Sequence, residues 1–417
     1  MQLPSYDEML VEFCDCIVLL QKYSSGAIYP IEIVPSDDFQ DFFFHIQLNS
    51  FPSNTEITDA VYAFTVPKDR LCYSWVFVYE EKHYSIVYVT HKFIPKLYFD
   101  FIQDAINSYN DCNPKERFAL SFSLIQSWRF NKPTNILTMN SPSKLNQEIY
   151  LQSKYLCFED FDPLEIFPYS NLVDLWKALI TGAGVMIISD TPEDLSYGVF
   201  AAISLLSPLQ YLDPILITTS NQDPRLKHCE DYSIVGITSN INNVSSRKYG
   251  ITIIAKRKSG KSLDETVENI RKKSRLLAEF MIYMMDSALV ADPFNDILEN
   301  TFTDTDTTEF IGKYNTGDIV ITDEDVKKFA CTNTIKKWRS SIIFRKSFRN
   351  NFLGREPLEV LKGKPKSKLL EIKEKLPLIQ KKFEKDEHVL AVLKTYKRNI
   401  RKLTRKNRAY DLIEEMK

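Results

Sequence analysis

Over residues 1–130, apolar positions come in short runs separated by turn residues, the pattern of strands rather than of long helices. CDCIVLL (14–20) is one such run, SSGAIYP (24–30) is a turn leading into a second strand, and DFFFHIQL (41–48) reads as a third. The clearest pair is LCYSWVFVYE and HYSIVYVTH, joined around Glu81. In its first member Tyr73, Trp75, Phe77 and Tyr79 alternate with Ser74, Val76 and Val78, which predicts a strand covered on both faces. PKLYFDFIQDAI then switches to helical spacing. A compact antiparallel sheet with helices against it is the expected outcome for 1–130.

NKPTNILTMNSPSKLNQ is polar and rich in turn residues, so 131–152 reads as a linker. Helix and strand patterns alternate from Pro168 onward. SNLVDLWKALITGAG puts Leu172, Leu175, Trp176 and Leu179 on one helical face, with Gly182 and Gly184 as its stop. VMIIS is a wholly apolar run suited to a buried parallel strand. TPEDLSYGVFAAISLLSP opens with a Thr cap, a first-turn Pro and two carboxylates. PILITTS, SIVGITS and ITIIA follow as strands, which makes 153–260 an α/β domain with ITIIA as its last strand.

Residues 261–417 read as helical. Val267, Ile270, Leu277, Met281, Met284 and Ala288 form one apolar stripe, and Val389, Leu393, Tyr396, Ile400 and Leu403 form another. The second stripe is flanked by Lys394, Lys397, Arg398, Arg401, Lys402 and Arg405. Those cations are either the solvated face of a docked helix or a surface for an anionic membrane or an acidic partner.

Composition sharpens this picture in one respect. Of 417 residues, 44% are apolar and 26% charged, an ordinary globular balance. The net charge of −2 conceals an asymmetry: residues 1–250 hold 30 acidic and 17 basic side chains, and 251–417 hold 25 and 36. The opening MQLPSYDEML is acidic where a signal peptide needs positive charge, and no apolar run has the length of a membrane span. A cytoplasmic location is therefore expected. The seven cysteines include no CxxC pair, and Cys14 and Cys16 read as small buried hydrophobes.

Candidate chemistry is sparse. AKRKSGKS (255–262) imitates a phosphate-binding loop after a strand, but it has Ala255 where the first glycine belongs, and it follows the last strand of its domain rather than the first. Ser262 and Glu265 also fit a capping box. His228, Cys229, Glu230 and Asp231 adjoin in KHCED, yet neighbouring residues diverge on any regular element. The five histidines are scattered, and no metal, cofactor or catalytic side chain is expected. Basic and aromatic residues are not interleaved as single-strand binders need, so nucleic acid is not an expected partner.

The middle of the chain resembles a known module. LVDLWKALITGAGVMIISDTPEDLSYGVFAAISLLSPLQYLDPILITTSNQD, closing with YSIVGITSN, is similar to the central segment of DENN-domain proteins, most of all the class-six and Avl9-like group. GAIYP (26–30) and SFPSN (50–54) resemble that group's strand end and loop, although this chain lacks the Asp of the loop. The resemblance implies the tripartite DENN architecture: an α/β fold with a longin-like N-terminal antiparallel sheet with helices, a central α/β DENN domain and a mainly helical C-terminal region. It further implies guanine nucleotide exchange on a Rab-family small GTPase, or a scaffold or effector role on the same fold, with peripheral recruitment to endosomal or Golgi membranes. The family has no short motif from which contact residues carry over; Ser50, Phe51 and Asn54 in the loop, and Asp190, Glu193 and Asp194 after VMIIS, are the candidate GTPase-contact residues. An ordinary turn and helix capping explain the same letters.

Overall fold

The computed structural model describes residues 13–35, 40–51, 59–131, 136–150, 161–207, 209, 211, 213–241, 249–257, 265–277, 319–332, 352–354, 356–384 and 386–415. Two compact units divide the chain, one up to Arg275 and one from Leu276.

The first unit opens with β1 (Cys16–Lys22), β2 (Ile28–Val34), α1 (Gln40–Asn49), β3 (Ala60–Val66), β4 (Arg70–Tyr79) and β5 (Lys82–Thr90). The five strands form one antiparallel sheet in the order β2-β1-β5-β4-β3. In the β4–β5 hairpin Tyr79 stands opposite Lys82, and its strands are buried along nearly their whole length. Helices α2 (Pro95–Ser108) and α3 (Pro114–Gln126) follow. The aromatic content is concentrated here: Tyr73 stacks on Tyr98 at 4.5 Å, and Trp128 meets Tyr98 and Phe101 at 5.7 and 5.4 Å.

Two expectations are corrected. DFFFHIQL is not a strand but most of α1. Phe42, Ile46 and Asn49 are buried at helical spacing, while Phe44 between them is exposed. The 131–152 linker contains two strands, β7 (Ile136–Met139) and β8 (Gln147–Tyr150), which form a small antiparallel sheet with β6 (Arg129–Asn131).

The α/β layer matches its sequence pattern closely. In α4 (Leu172–Thr181), Leu172, Leu175, Trp176 and Leu179 are buried, and Gly182 ends the helix in the left-handed conformation at φ 67°. The Thr191 hydroxyl accepts from the Asp194 N–H at the start of α5 (Pro192–Ser204). Strands β9 (Val185–Ser189), β10 (Ile215–Thr218), β11 (Ile234–Thr238) and β12 (Ile251–Ile254) form a parallel sheet in the order β10-β11-β9-β12. Gly198 lets α5 lie close on this layer, because a Cβ there would stand 2.7 Å from the Ala255 Cβ. The 265–277 helix closes the layer, with Ser274 Oγ accepting the Trp176 indole N–H at 2.9 Å.

The second unit is helical in its described parts, apart from short connections. Its core joins Phe352, Leu361, Leu369, Ile372 and Leu376 to Val389, Leu393, Tyr396 and Ile400, the stripe read from the sequence. The helices Lys366–Lys382 and Glu387–Glu415 pack through it as a hairpin.

Candidate functional site

The outer strands of the two large sheets, β3 and β10, lie beside each other. An open sheet edge is a liability unless its polar groups are answered. Here side chains answer them. The Thr65 hydroxyl accepts from the Ile217 N–H at 2.9 Å, and Arg225 Nη2 donates to the Thr65 carbonyl at 2.7 Å.

Arg225 also makes a two-pronged contact with Asp223, Nε to Oδ1 at 2.9 Å and Nη2 to Oδ2 at 2.6 Å, with the Asp223 side chain fully buried. Asn49, at the last position of α1, completes the junction: its Oδ1 accepts from the Thr218 hydroxyl and the Thr219 N–H, both at 2.8 Å, and its carbonyl accepts from Tyr62 Oη. His45 Nδ1 stands 3.5 Å from Asp223 Oδ1. Burial alone would raise the Asp223 carboxyl, but the hydrogen bonds and charge of Arg225 carry it below the ordinary carboxylate value. Burial and then the Arg225 charge lower His45, which stays neutral at neutral pH.

Over this junction opens a cavity of about 420 Å³. Lys22, Gly26 and Ile28 of the β1–β2 hairpin form one wall, Phe44, Gln47, Leu48 and Phe51 a second, and the Thr219–Gln222 loop after β10 a third. Phe44 is 55% exposed at its rim, and beside Gly26 and Ile28 on the same hairpin Tyr23 and Tyr29 are 47% and 58% exposed with their rings 5.6 Å apart edge to face. Lys22 supplies one positive charge, with its Nζ 6.0 Å from the Phe51 ring centre. Aromatic faces, side-chain amides and a single cation suit the recognition of another protein's surface. Among the described residues that line it there is no carboxylate, histidine or cysteine.

The expected contact residues fall in different places. Phe51 lines the cavity, but Ser50 is fully buried, its hydroxyl donating to the Ile46 carbonyl at 2.5 Å. Ser50 therefore sits buried just after α1 and has no surface to offer. Asn54 lies outside the described residues. Asp190 is exposed, and Glu193 is half-buried with its carboxyl raised by burial. Asp194 accepts from the Arg257 N–H at 3.1 Å and holds the Arg257 guanidinium at 3.7 Å, so it is already engaged within its own layer. In the second unit Lys394, Arg398, Arg401 and Lys402 are exposed, and Lys397 is half-buried, donating to Gln380 Oε1 at 3.0 Å. Nothing is described of the Arg405 side chain.

Arg257, inside the phosphate-loop-like stretch, lies 4.8 Å over the Tyr197 ring, while 258–264 is outside the described residues. Among the described residues no group of three or more His, Cys, Asp and Glu gathers as a metal site would, KHCED included. Sequence reasoning missed Asn49, Thr65, Phe44 and the Asp223–Arg225 pair. Only the pair left a local signal: Asp223 before Pro224 caps the short helical turn that follows, accepting from the Arg225 N–H.

No protein-family model matches the chain, and no curated protein matches it.

Proposed function

We propose that this chain is a DENN-type guanine nucleotide exchange factor for a Rab-family small GTPase, and that the GTPase docks on the groove above the β3–β10 junction. The observation that carries the reading is the groove itself: three exposed aromatic rings on or beside a cavity whose three walls come from the antiparallel and the parallel layers. The sequence resemblance supports it, with the antiparallel sheet read as longin-like and the parallel sheet as the central DENN domain.

The chemistry asked of such a surface is modest. An exchange factor needs only to bind the nucleotide-free GTPase more tightly than the loaded one, and by linkage it then weakens nucleotide binding by the same factor. Engaging a switch segment on the aromatic rim, and so drawing it from the phosphates and Mg²⁺, requires no catalytic side chain in the exchange factor. The protein would reach endosomal or Golgi membranes with its GTPase.

Release of a fluorescent GDP analogue from a panel of purified Rab proteins, with substoichiometric protein, tests this. Turnover on one or two members is the expected result. No acceleration on any member, together with GTP-dependent binding to one, would make the chain a scaffold or effector instead.

A further inference from the structure

In the second unit the two long helices each have one buried and one solvent face, and a polar contact between them marks which sides adjoin. Lys397 Nζ donates to Gln380 Oε1 at 3.0 Å across the hairpin, at one rim of the shared core. Starting from that rim, helical spacing carries Lys394 and Arg401 to the outside of one helix, and Pro377 and Lys373 to the outside of the other. Arg398 lies opposite the buried stripe, and Leu370, 43% exposed, continues the row of Lys373 and Pro377. Lys394, Arg401, Lys373, Pro377 and Leu370 therefore share one side of the hairpin, with Arg398 at its outer margin.

That side has two unusual properties. From His388 to Tyr410 the sequence contains eight Lys and Arg and no Asp or Glu, so no carboxylate on that stretch offsets the cations. Among the described residues no ion pair engages Lys394, Arg398 or Arg401. The neighbouring helix interleaves its lysines with the exposed apolar Leu370 and Pro377 and with no aromatic ring; of its two carboxylates, Glu371 is held between Lys368 and Lys375, and Glu374 is exposed beside Lys373.

We infer that this side of the hairpin is a docking face for an anionic lipid surface, with Lys394, Arg398, Arg401 and Lys373 on the headgroup charges and Leu370 in the interfacial layer. Charge complementarity selects the occupant: the cationic row of Lys394, Arg398 and Arg401, which outweighs Glu374 on the neighbouring helix, suits a field of negative headgroups. Flexible stems let the ammonium and guanidinium groups reach that plane while apolar neighbours settle beneath it. A single-stranded nucleic acid would want stacking rings, and the exposed positions of this face carry none. Among the described residues no helix is long and apolar enough to cross a membrane, so the attachment is peripheral and reversible.

The test is co-sedimentation of the full chain, without any GTPase, with vesicles of phosphatidylcholine alone or mixed with phosphatidylserine. Binding is expected on the mixed vesicles only and should weaken as salt is raised. Reversing Lys394, Arg398 and Arg401 to Glu together should abolish it, whereas reversing Lys82, Lys96 and Lys115 to Glu changes the net charge equally and should leave it intact. Should the triple variant fold poorly by circular dichroism, single Arg398→Gln and Lys394→Gln changes should each lower affinity on the order of fivefold. Equal binding to neutral vesicles, equal loss in the two triple variants, or tighter binding to a single-stranded oligonucleotide than to mixed vesicles would overturn the inference. Because no GTPase is present, its failure would leave the exchange reading untouched.

Discussion

Arg225 and Arg257 show how far burial changes the worth of one ion pair. Arg225 and Asp223 leave 9% and 0% of their side chains exposed, whereas Arg257 is 52% exposed over Asp194. Removing Arg225 strands a carboxylate in the interior together with the Thr65 carbonyl, so Arg225→Ala should cost roughly 3–5 kcal/mol. Arg257→Ala should cost less than about 1 kcal/mol. Urea unfolding of the two variants compares them directly, and equal losses would contradict the account. The same cluster sets an acid limit. His45 has a folded pKa below its ordinary 6.5, so the unfolded chain takes the proton first. Its share of stability is complete above that value and declines as the pH falls through it towards the folded pKa. Asp223 is depressed too, so its contribution persists to lower pH and is lost only below the ordinary carboxylate range. His45→Gln should therefore flatten the decline between about pH 7 and pH 5.5. An unchanged slope of the urea midpoint against pH would remove His45 as its source.

At the scale of elements, the turn joining β4 and β5 carries strain that the sequence does not relieve. Glu80 and Glu81 both have positive φ, 47° and 60°, the signature of a type I′ turn that favours Asn-Gly. A left-handed residue other than Gly costs roughly 1–2 kcal/mol, so Glu81→Gly should stabilise the first unit by about 1 kcal/mol. A lowered unfolding midpoint would show that Glu81 has compensating contacts. Thr191→Ala should lose about 1 kcal/mol by uncapping α5. These local devices also explain what could be read in advance. The α4–β9–α5 run was legible because caps, a left-handed glycine and apolar periodicity all agreed there. DFFFHIQL was not, because three successive phenylalanines satisfy a period of 2 and of 3.6 equally, and burial on one side only emerges in the packed chain. Strands β7 and β8, four residues each amid turn residues, are too short to show an alternation. The junction was illegible for a different reason: Asn49 meets Thr218 and Asp223 across 169 and 174 residues, a pairing that no local pattern encodes.

For the whole molecule, the proposed activity and the stability of the first unit make separable demands on neighbouring residues. Phe44 projects from the exposed face of α1 at the groove, while Asn49, on the same helix, holds the two layers together. Truncating an exposed ring removes little from the fold, so Phe44→Ala should leave the unfolding midpoint within about 0.5 kcal/mol of the parent. If the ring is an anchor for the GTPase, the same change should cost roughly 2 kcal/mol of binding, on the order of thirtyfold in exchange efficiency at limiting GTPase. Asn49→Ala should do the reverse in order of cause, destabilising the junction by roughly 1–3 kcal/mol and affecting exchange only through the fraction unfolded. The pair of measurements discriminates between a surface that binds and a seam that merely supports it. Retained exchange in a fully folded Phe44→Ala protein would move the docking site away from this groove, whatever the activity of the parent chain.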